Sequence, residues 1–159
     1  MPRAGSATSS RAFKVGVWRS LMEVHNSVLH EIEQELAERH RLSISEFDTL
    51  VNIPLKGTRL RELKDRVVLT QSAVSRLCDR LADRGLVTRS PLEEDMRGAM
   101  IHLTDAGRKL LRSAARTNAE VVERTFADRL TQTQLDSLRE ILDQLSTEQS
   151  HPKGCDTTG

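Results

Sequence analysis

Between Arg11 and Arg39 the apolar residues Phe13, Val17, Leu21, Val24, Val28, Ile32 and Leu36 recur every three or four positions. That is the spacing of one face of a long α-helix. Trp18, Met22 and Leu29 widen the stripe beyond what a small monomer normally buries. After a short polar break, Ser43-Ile-Ser-Glu46 has the form of a capping box, with Leu42 and Phe47 at hydrophobic-staple spacing around it. The pattern predicts a second helix from Ile44 to about Ile53, stopped by Pro54. Lys56-Gly57-Thr58 reads as a turn, and Leu60 and Leu63 mark a short third helix ending near Arg66. Leu69-Thr70-Gln-Ser-Ala-Val74 repeats the staple-and-cap spacing. A fourth helix follows from Gln71 to Arg84, closed by Gly85, which tolerates the left-handed C-cap.

The period then changes. Leu86-Val-Thr-Arg-Ser90 and Met100-Ile-His-Leu-Thr104 are short, partly β-branched runs on either side of the polar segment Pro91-Leu-Glu-Glu-Asp-Met-Arg-Gly98. They predict a two-stranded hairpin with a long charged tip. Two short strands are marginal by themselves, so the hairpin must lean on helices. Thr104 caps a fifth helix running to about Phe126. Thr131-Gln-Thr-Gln134 is a further capping box, stapled by Leu130 and Leu135. It starts a sixth helix with Leu135, Leu138, Ile141, Leu142 and Leu145 on one stripe. The fold expected is mainly α with a small β-hairpin: a winged helix–turn–helix over 43–104, flanked by dimerisation helices over 11–42 and 105–146. Residues 1–10 and 147–159 are rich in small and polar residues and are expected to fray.

Composition narrows the class. The 159 residues hold 24 Lys+Arg against 23 Asp+Glu, but the near-neutral total hides a pattern. The first 22 residues carry Arg3, Arg11, Lys14 and Arg19 and no acid, whereas Glu31 to Asp48 is acidic. The segment from Arg59 to Arg112 is net basic, as a surface for an anionic partner would be. No run of apolar residues is long enough to span a membrane, and the N-terminus lacks the apolar segment of a secretory signal. Cys78 and Cys155 make no disulfide framework. These features predict a soluble cytoplasmic, nucleoid-associated protein with no membrane partner.

A wheel of the fourth helix at about 100° per residue puts Val74, Leu77, Cys78 and Leu81 on a buried side. Ser72, Ser75, Arg76, Asp79 and Asp83 fall opposite, Ala73 and Arg80 lie at the edges, and Gln71 stands at the helix start. Small hydroxyls, arginines and a glutamine suit a DNA major groove. Arginine can bond two acceptors of guanine, glutamine can pair with adenine, and small residues let the backbone come close.

Leu60-Arg-Glu-Leu63, Leu69-Thr-Gln-Ser-Ala-Val-Ser-Arg-Leu77, Asp79-Arg-Leu-Ala-Asp-Arg-Gly-Leu-Val87, Arg89, Asp95-Met-Arg-Gly98 and Leu103-Thr-Asp-Ala-Gly107 occur in an order and spacing that resembles the MarR family of bacterial transcriptional regulators. The resemblance runs from Arg11 to about Leu145. It implies a homodimer whose first, fifth and sixth helices interlock and which presents two recognition helices to a pseudo-palindromic double-stranded operator. It also implies a ligand-responsive repressor. On the same resemblance the wing enters the minor groove, with Arg97 as the inserted arginine, Asp95 as the carboxylate orienting it and Gly98 closing the motif. Lys64 and Val68 depart from the Ala and Gly that many helix–turn–helix units place there.

The family commonly binds small phenolic or amphipathic anions. Trp18 and Asp48 stand roughly where one urate-responsive subgroup has its Trp and Asp, and His25 and Arg59 are further candidates for the same effector site. Other chemistry is weak. His25 and His30 do not share a helix face, no metal-ligand spacing or phosphate-binding glycine loop occurs, and Cys78 belongs to an apolar stripe. No enzyme activity, metal or cofactor is expected. The alternative is a winged-helix protein-interaction module that binds no DNA. It would need an apolar or acidic face where Ser72, Ser75 and Arg76 stand.

Overall fold

A computed structural model describes residues 10–67, 71–92 and 95–149, without the side chains of Gln71, Asp95, Met96, Arg97, Glu148 and Gln149. The order is α1 (Arg11–His40), α2 (Ile44–Val51), β1 (Thr58–Arg59), α3 (Leu60–Arg66), α4 (Gln71–Asp83), β2 (Val87–Leu92), β3 (Asp95–Leu103), α5 (Asp105–Thr125), a 3-10 turn (Ala127–Arg129) and α6 (Gln132–Gln149). The fold class is the one the sequence predicts: mostly helical, with a small antiparallel sheet.

Local chemistry accounts for most of the boundaries. Ser10 starts α1 by accepting from the Phe13 N–H. The helix ends at Arg41, whose left-handed backbone (φ 54°) lets its N–H reach the Ala37 carbonyl. The capping box of α2 is complete: Ser43 Oγ accepts from Glu46 N at 3.1 Å, and the Glu46 carboxylate accepts from Ser43 N at 2.9 Å. At α6 the Thr131 N–H donates to Gln134 Oε1 at 2.9 Å and the Gln134 N–H to Thr131 Oγ1 at 3.3 Å. Gly85 takes φ +69° after α4, as the chain reversal requires.

The sheet differs from expectation. It has three strands in the order β1-β3-β2, because Thr58, read as part of a turn, and Arg59 after it pair with Ile101 and Met100. The marginal hairpin thus gains a third partner as well as helices to lean on. The long polar tip is also mostly strand. Pairing continues through Pro91↔Ala99 and on to Leu92↔Asp95, with an irregularity between Pro91 and Leu92. Proline is tolerated there because β2 is an edge strand and owes no ladder bond on its outer side. Two smaller corrections concern the helices. α2 stops at Val51, two residues early, and α6 runs to Gln149, three residues into the tail expected to fray from 147.

The chain divides into two compact units, residues 1–121 and 122–159. Within the first, Leu36, Leu42, Leu50, Leu63, Val74, Cys78, Leu81, Ile101 and Val121 are almost wholly buried. They make a core of aliphatic side chains, as a chain with three Phe and one Trp must. Leu42 is the buried arm of the staple beside Phe47, whereas Leu69 lies outside the described residues.

The joint after β3 is built by two residues. Thr104 Oγ1 donates to the Gly85 carbonyl at 2.7 Å and accepts from the Gly107 N–H at 2.9 Å. Gly107 is required by proximity: a Cβ there would stand 1.9 Å from the Leu86 carbonyl oxygen. The Leu103-Thr-Asp-Ala-Gly107 motif is therefore a weld between the end of α4 and the start of α5. In the second unit, α6 carries Ile141, Leu142 and Leu145 at 54, 42 and 49% exposure.

Candidate nucleic-acid interface

α4 folds because its two sides want different solvents. Val74, Leu77, Cys78 and Leu81 are all buried, against α2, α3 and β2. Ser72, Arg76, Asp79, Arg80 and Asp83 are exposed, and Ala73 and Ser75 are half-buried at the margin. The wheel holds except at two positions: Ser75, expected on the exposed side, is half-buried, and Arg80, expected at an edge, is exposed. Arg76 lies back along its helix, with Nε donating to the Ser72 carbonyl at 3.3 Å. The guanidinium is thereby held over the first exposed turn rather than trailing free in solvent.

Three ties fix the angle of this helix. α3 and β2 flank it directly. At its far end Arg84 pairs with Glu46 at 3.3 Å, so the carboxylate that completes the α2 capping box also anchors the α4 terminus. Glu46 is the one buried charged residue among those described, and its carboxylate is met by the Arg84 guanidinium and the Ser43 N–H. On the opposite flank Arg89 of β2 donates through Nη1 to Asp79 Oδ1. The Glu46–Arg84 and Asp79–Arg89 pairs were not foreseen from the sequence, since their members lie 38 and 10 positions apart and no local period links them.

The wing is β2 with β3. Gly98 sits half-buried in β3, while the side chains of Asp95 and Arg97, and of Gln71 at the start of α4, lie outside the described residues. Val68, the unusual turn residue, lies outside them too. Lys64 is half-buried on α3. The four effector candidates do not converge through hydrogen bonds among the described residues. Trp18 is 61% exposed on α1. His25 Nδ1 meets Asn26 Oδ1, Asp48 accepts from Asn52 Nδ2, and Arg59 is exposed on β1.

Reactive chemistry is scarce. Among the described residues no group of three or more His, Cys, Asp or Glu is arranged to hold a metal ion. Burial pushes the Cys78 thiol up to about 11, so it stays protonated and unreactive at neutral pH. No described helix is long and apolar enough to cross a membrane.

Residues 42–98, from the start of α2 into the wing, match the MarR family. An uncharacterized HTH-type transcriptional regulator from Bacillus cereus is 26% identical over 127 residues, covering 79% of this chain and 84% of the relative. Four further Bacillus relatives, 28% identical over 99 residues, are matched over 65% of their own length. Among solved structures, Sco3205 from Streptomyces coelicolor, a MarR family transcriptional regulator in complex with DNA, has 28% identity and a TM-score of 0.76, covering 96% of both chains. AbsC, a MarR family transcriptional regulator from the same organism, has a TM-score of 0.75 at 24% identity, over 91% of this chain and 99% of AbsC. The match over 42–98 and the likeness to Sco3205 over nearly the whole chain agree: residues 42–98 resemble the MarR family, and the fold is that of a MarR family transcriptional regulator.

Proposed function

We propose that this regulator is a homodimeric repressor that binds a pseudo-palindromic operator and releases it on binding a small amphipathic or phenolic anion. The observation carrying the reading is the exposed side of α4. Ser72, Arg76 and Arg80 face outward with Ala73 and Ser75 beside them, on a helix whose other side is locked into the core. Sco3205, similar over almost its whole length, is known in complex with DNA, which favours duplex DNA as the ligand of the equivalent surface here. In this reading Gln71, Ser72, Ala73, Ser75, Arg76 and Arg80 enter the major groove. The Asp95–Gly98 start of β3 would bring Arg97 to the minor groove, where a permanently charged planar group is favoured.

Dimerisation rests on exposed apolar surface. Phe13, Val17, Trp18, Leu21 and Val24 on α1 are 41–63% exposed, as are Ile141, Leu142 and Leu145 on α6 within the same range. A second copy of the chain would cover both stripes and set two α4 helices about 34–36 Å apart, one turn of DNA. Trp18, His25, Asp48 and Arg59 offer an aromatic face and polar groups for an effector, whose binding would shift the dimer away from the DNA-compatible spacing.

The test is selection of a binding site from a random duplex pool, followed by gel shifts. A two-fold-related site is expected, with Arg76→Ala weakening it by about 1–3 kcal/mol and relaxing preference at one base pair of each half-site. A selected pool with no recurring sequence, or an Arg76→Ala protein that binds like wild type, would overturn the reading.

A further inference from the structure

Asp79 is an odd residue for a helix face turned toward a polyanion. It lies two helical turns from Ser72 on the same side as Arg76, and its side chain is 55% exposed. An isolated carboxylate there would repel phosphate. It is not isolated, because Arg89 Nη1 donates to Asp79 Oδ1.

The position of Arg89 is set by the sheet register. Arg89 pairs with Ile101, so both side chains leave the same face, the one on which Ile101 is fully buried. β2 packs on α4, but its residues from Thr88 to Pro91 are exposed. Arg89 therefore stands where the core face runs out into solvent, in the angle between the recognition helix and the wing, with 37% of its side chain exposed. The bond to Asp79 engages one of its three nitrogens, and a guanidinium has five N–H donors in a planar fork. Pairing at this exposure adds little to folding. What it does fix is direction: the fork is held edge-on between the two elements that would straddle one strand of a duplex.

We propose that Arg89 is a phosphate-binding residue of this protein, aimed at the DNA backbone between the major-groove helix and the wing by Asp79, which acts as its positioning residue. The assignment rests on the DNA-binding reading above and adds to it a sequence-independent contact. Arg89 supplies the charge and the fork, and Asp79 holds the fork and is itself neutralised. Removing the arginine alone is worse than removing both, because it leaves a bare carboxylate facing phosphate.

The experiment measures binding of the full chain to a mixed-sequence duplex across a salt series, for wild type, Arg89→Ala, Arg89→Lys, Asp79→Ala and the Arg89→Ala/Asp79→Ala double variant. Each is checked for folding by thermal melting. Arg89→Ala is expected to bind on the order of tenfold more weakly and to lower the slope of log K against log salt by about 0.9, the loss of one phosphate contact. Arg89→Lys keeps the slope, Asp79→Ala does not flatten it, and the double variant binds more tightly than Arg89→Ala. A purely structural strut would leave the slope unmoved and make the double variant no better than either single one. An unchanged slope in Arg89→Ala, or a double variant no tighter than Arg89→Ala, overturns the assignment. A wild-type protein with no salt-dependent duplex binding would instead bring down the DNA-binding reading itself.

Discussion

α4 and the first half of α1 carry the same kind of stripe, apolar residues at every third or fourth position, yet they meet opposite fates. In α4 every member of the stripe is buried within the chain. In α1 only Ile32 and Leu36, near its C-terminal end, are buried, while Phe13, Val15, Val17, Trp18, Leu21 and Val24 remain on the surface. Periodicity states that a face wants to leave water. It does not state whether the surface that receives it belongs to the same molecule. A contiguous run of exposed large apolar side chains along 12 positions of one helix marks an interaction face rather than scattered surface residues.

The contrast can be broken most sharply at Leu81. Leu81→Ala removes a fully buried side chain beneath the recognition helix and is expected to cost about 2–5 kcal/mol in denaturant unfolding, at any protein concentration. Trp18→Glu on the other stripe is expected to act through association. It should weaken self-assembly on the order of 2 kcal/mol or more, seen by light scattering as a shift toward monomer mass on dilution. If Trp18→Glu left both mass and its concentration dependence unchanged, the exposed stripe would not be the dimer face.

A smaller effect is expected at the start of α2. Ser43→Ala removes the hydroxyl that accepts from Glu46 N and should cost about 1 kcal/mol in the unfolding midpoint. Because Glu46 also holds Arg84, that change is expected to be felt at the end of α4, where amide exchange of Arg84 and Gly85 would quicken.

The smallest effect concerns pH and the end of α1. His40 Nε2 lies 2.8 Å from Thr117 Oγ1 on α5, and Arg39 pairs with Glu120 at 3.0 Å one turn along. Burial, then the neighbouring Arg39 charge, lowers the His40 pKa below its ordinary 6.5. The unfolded chain therefore takes up the proton first as pH falls. This contribution to stability is complete above the ordinary histidine value and is lost as pH drops from there through the lower folded-state value. A pH series of melting temperatures for wild type and His40→Gln should diverge in that window and run parallel above it.

Much of this architecture is legible in the chain because it is local. Ser43 and Glu46, Thr131 and Gln134, and Gly85 each specify a helix end within four residues. The buried side of α4 follows from a single period. What is not legible depends on partners distant in sequence. Thr58-Arg59 is too short to carry a strand signal and becomes one only because Ile101 and Met100 offer a free edge. Pro91 argues against a strand until β2 proves to be the outermost one. Asp79 reads as an ordinary solvated acid until Arg89 folds across to it. At the candidate interface the buried side of α4 and most of its exposed side follow from the wheel, with Ser75 more buried and Arg80 more exposed than the period implies, whereas the pairs that aim the helix require the tertiary fold.

The sheet order has a consequence for how the molecule avoids unwanted growth. β3 is sandwiched, β1 is only two residues long, and β2 carries Pro91 one residue from its end, beside a register irregularity. Neither margin presents a long, flat row of unpaired amides that a stray chain could extend into a fibril. Among the described residues the large exposed apolar side chains lie instead on helical faces, Leu55 in the turn before β1 excepted, and a helical stripe is satisfied by one matching stripe.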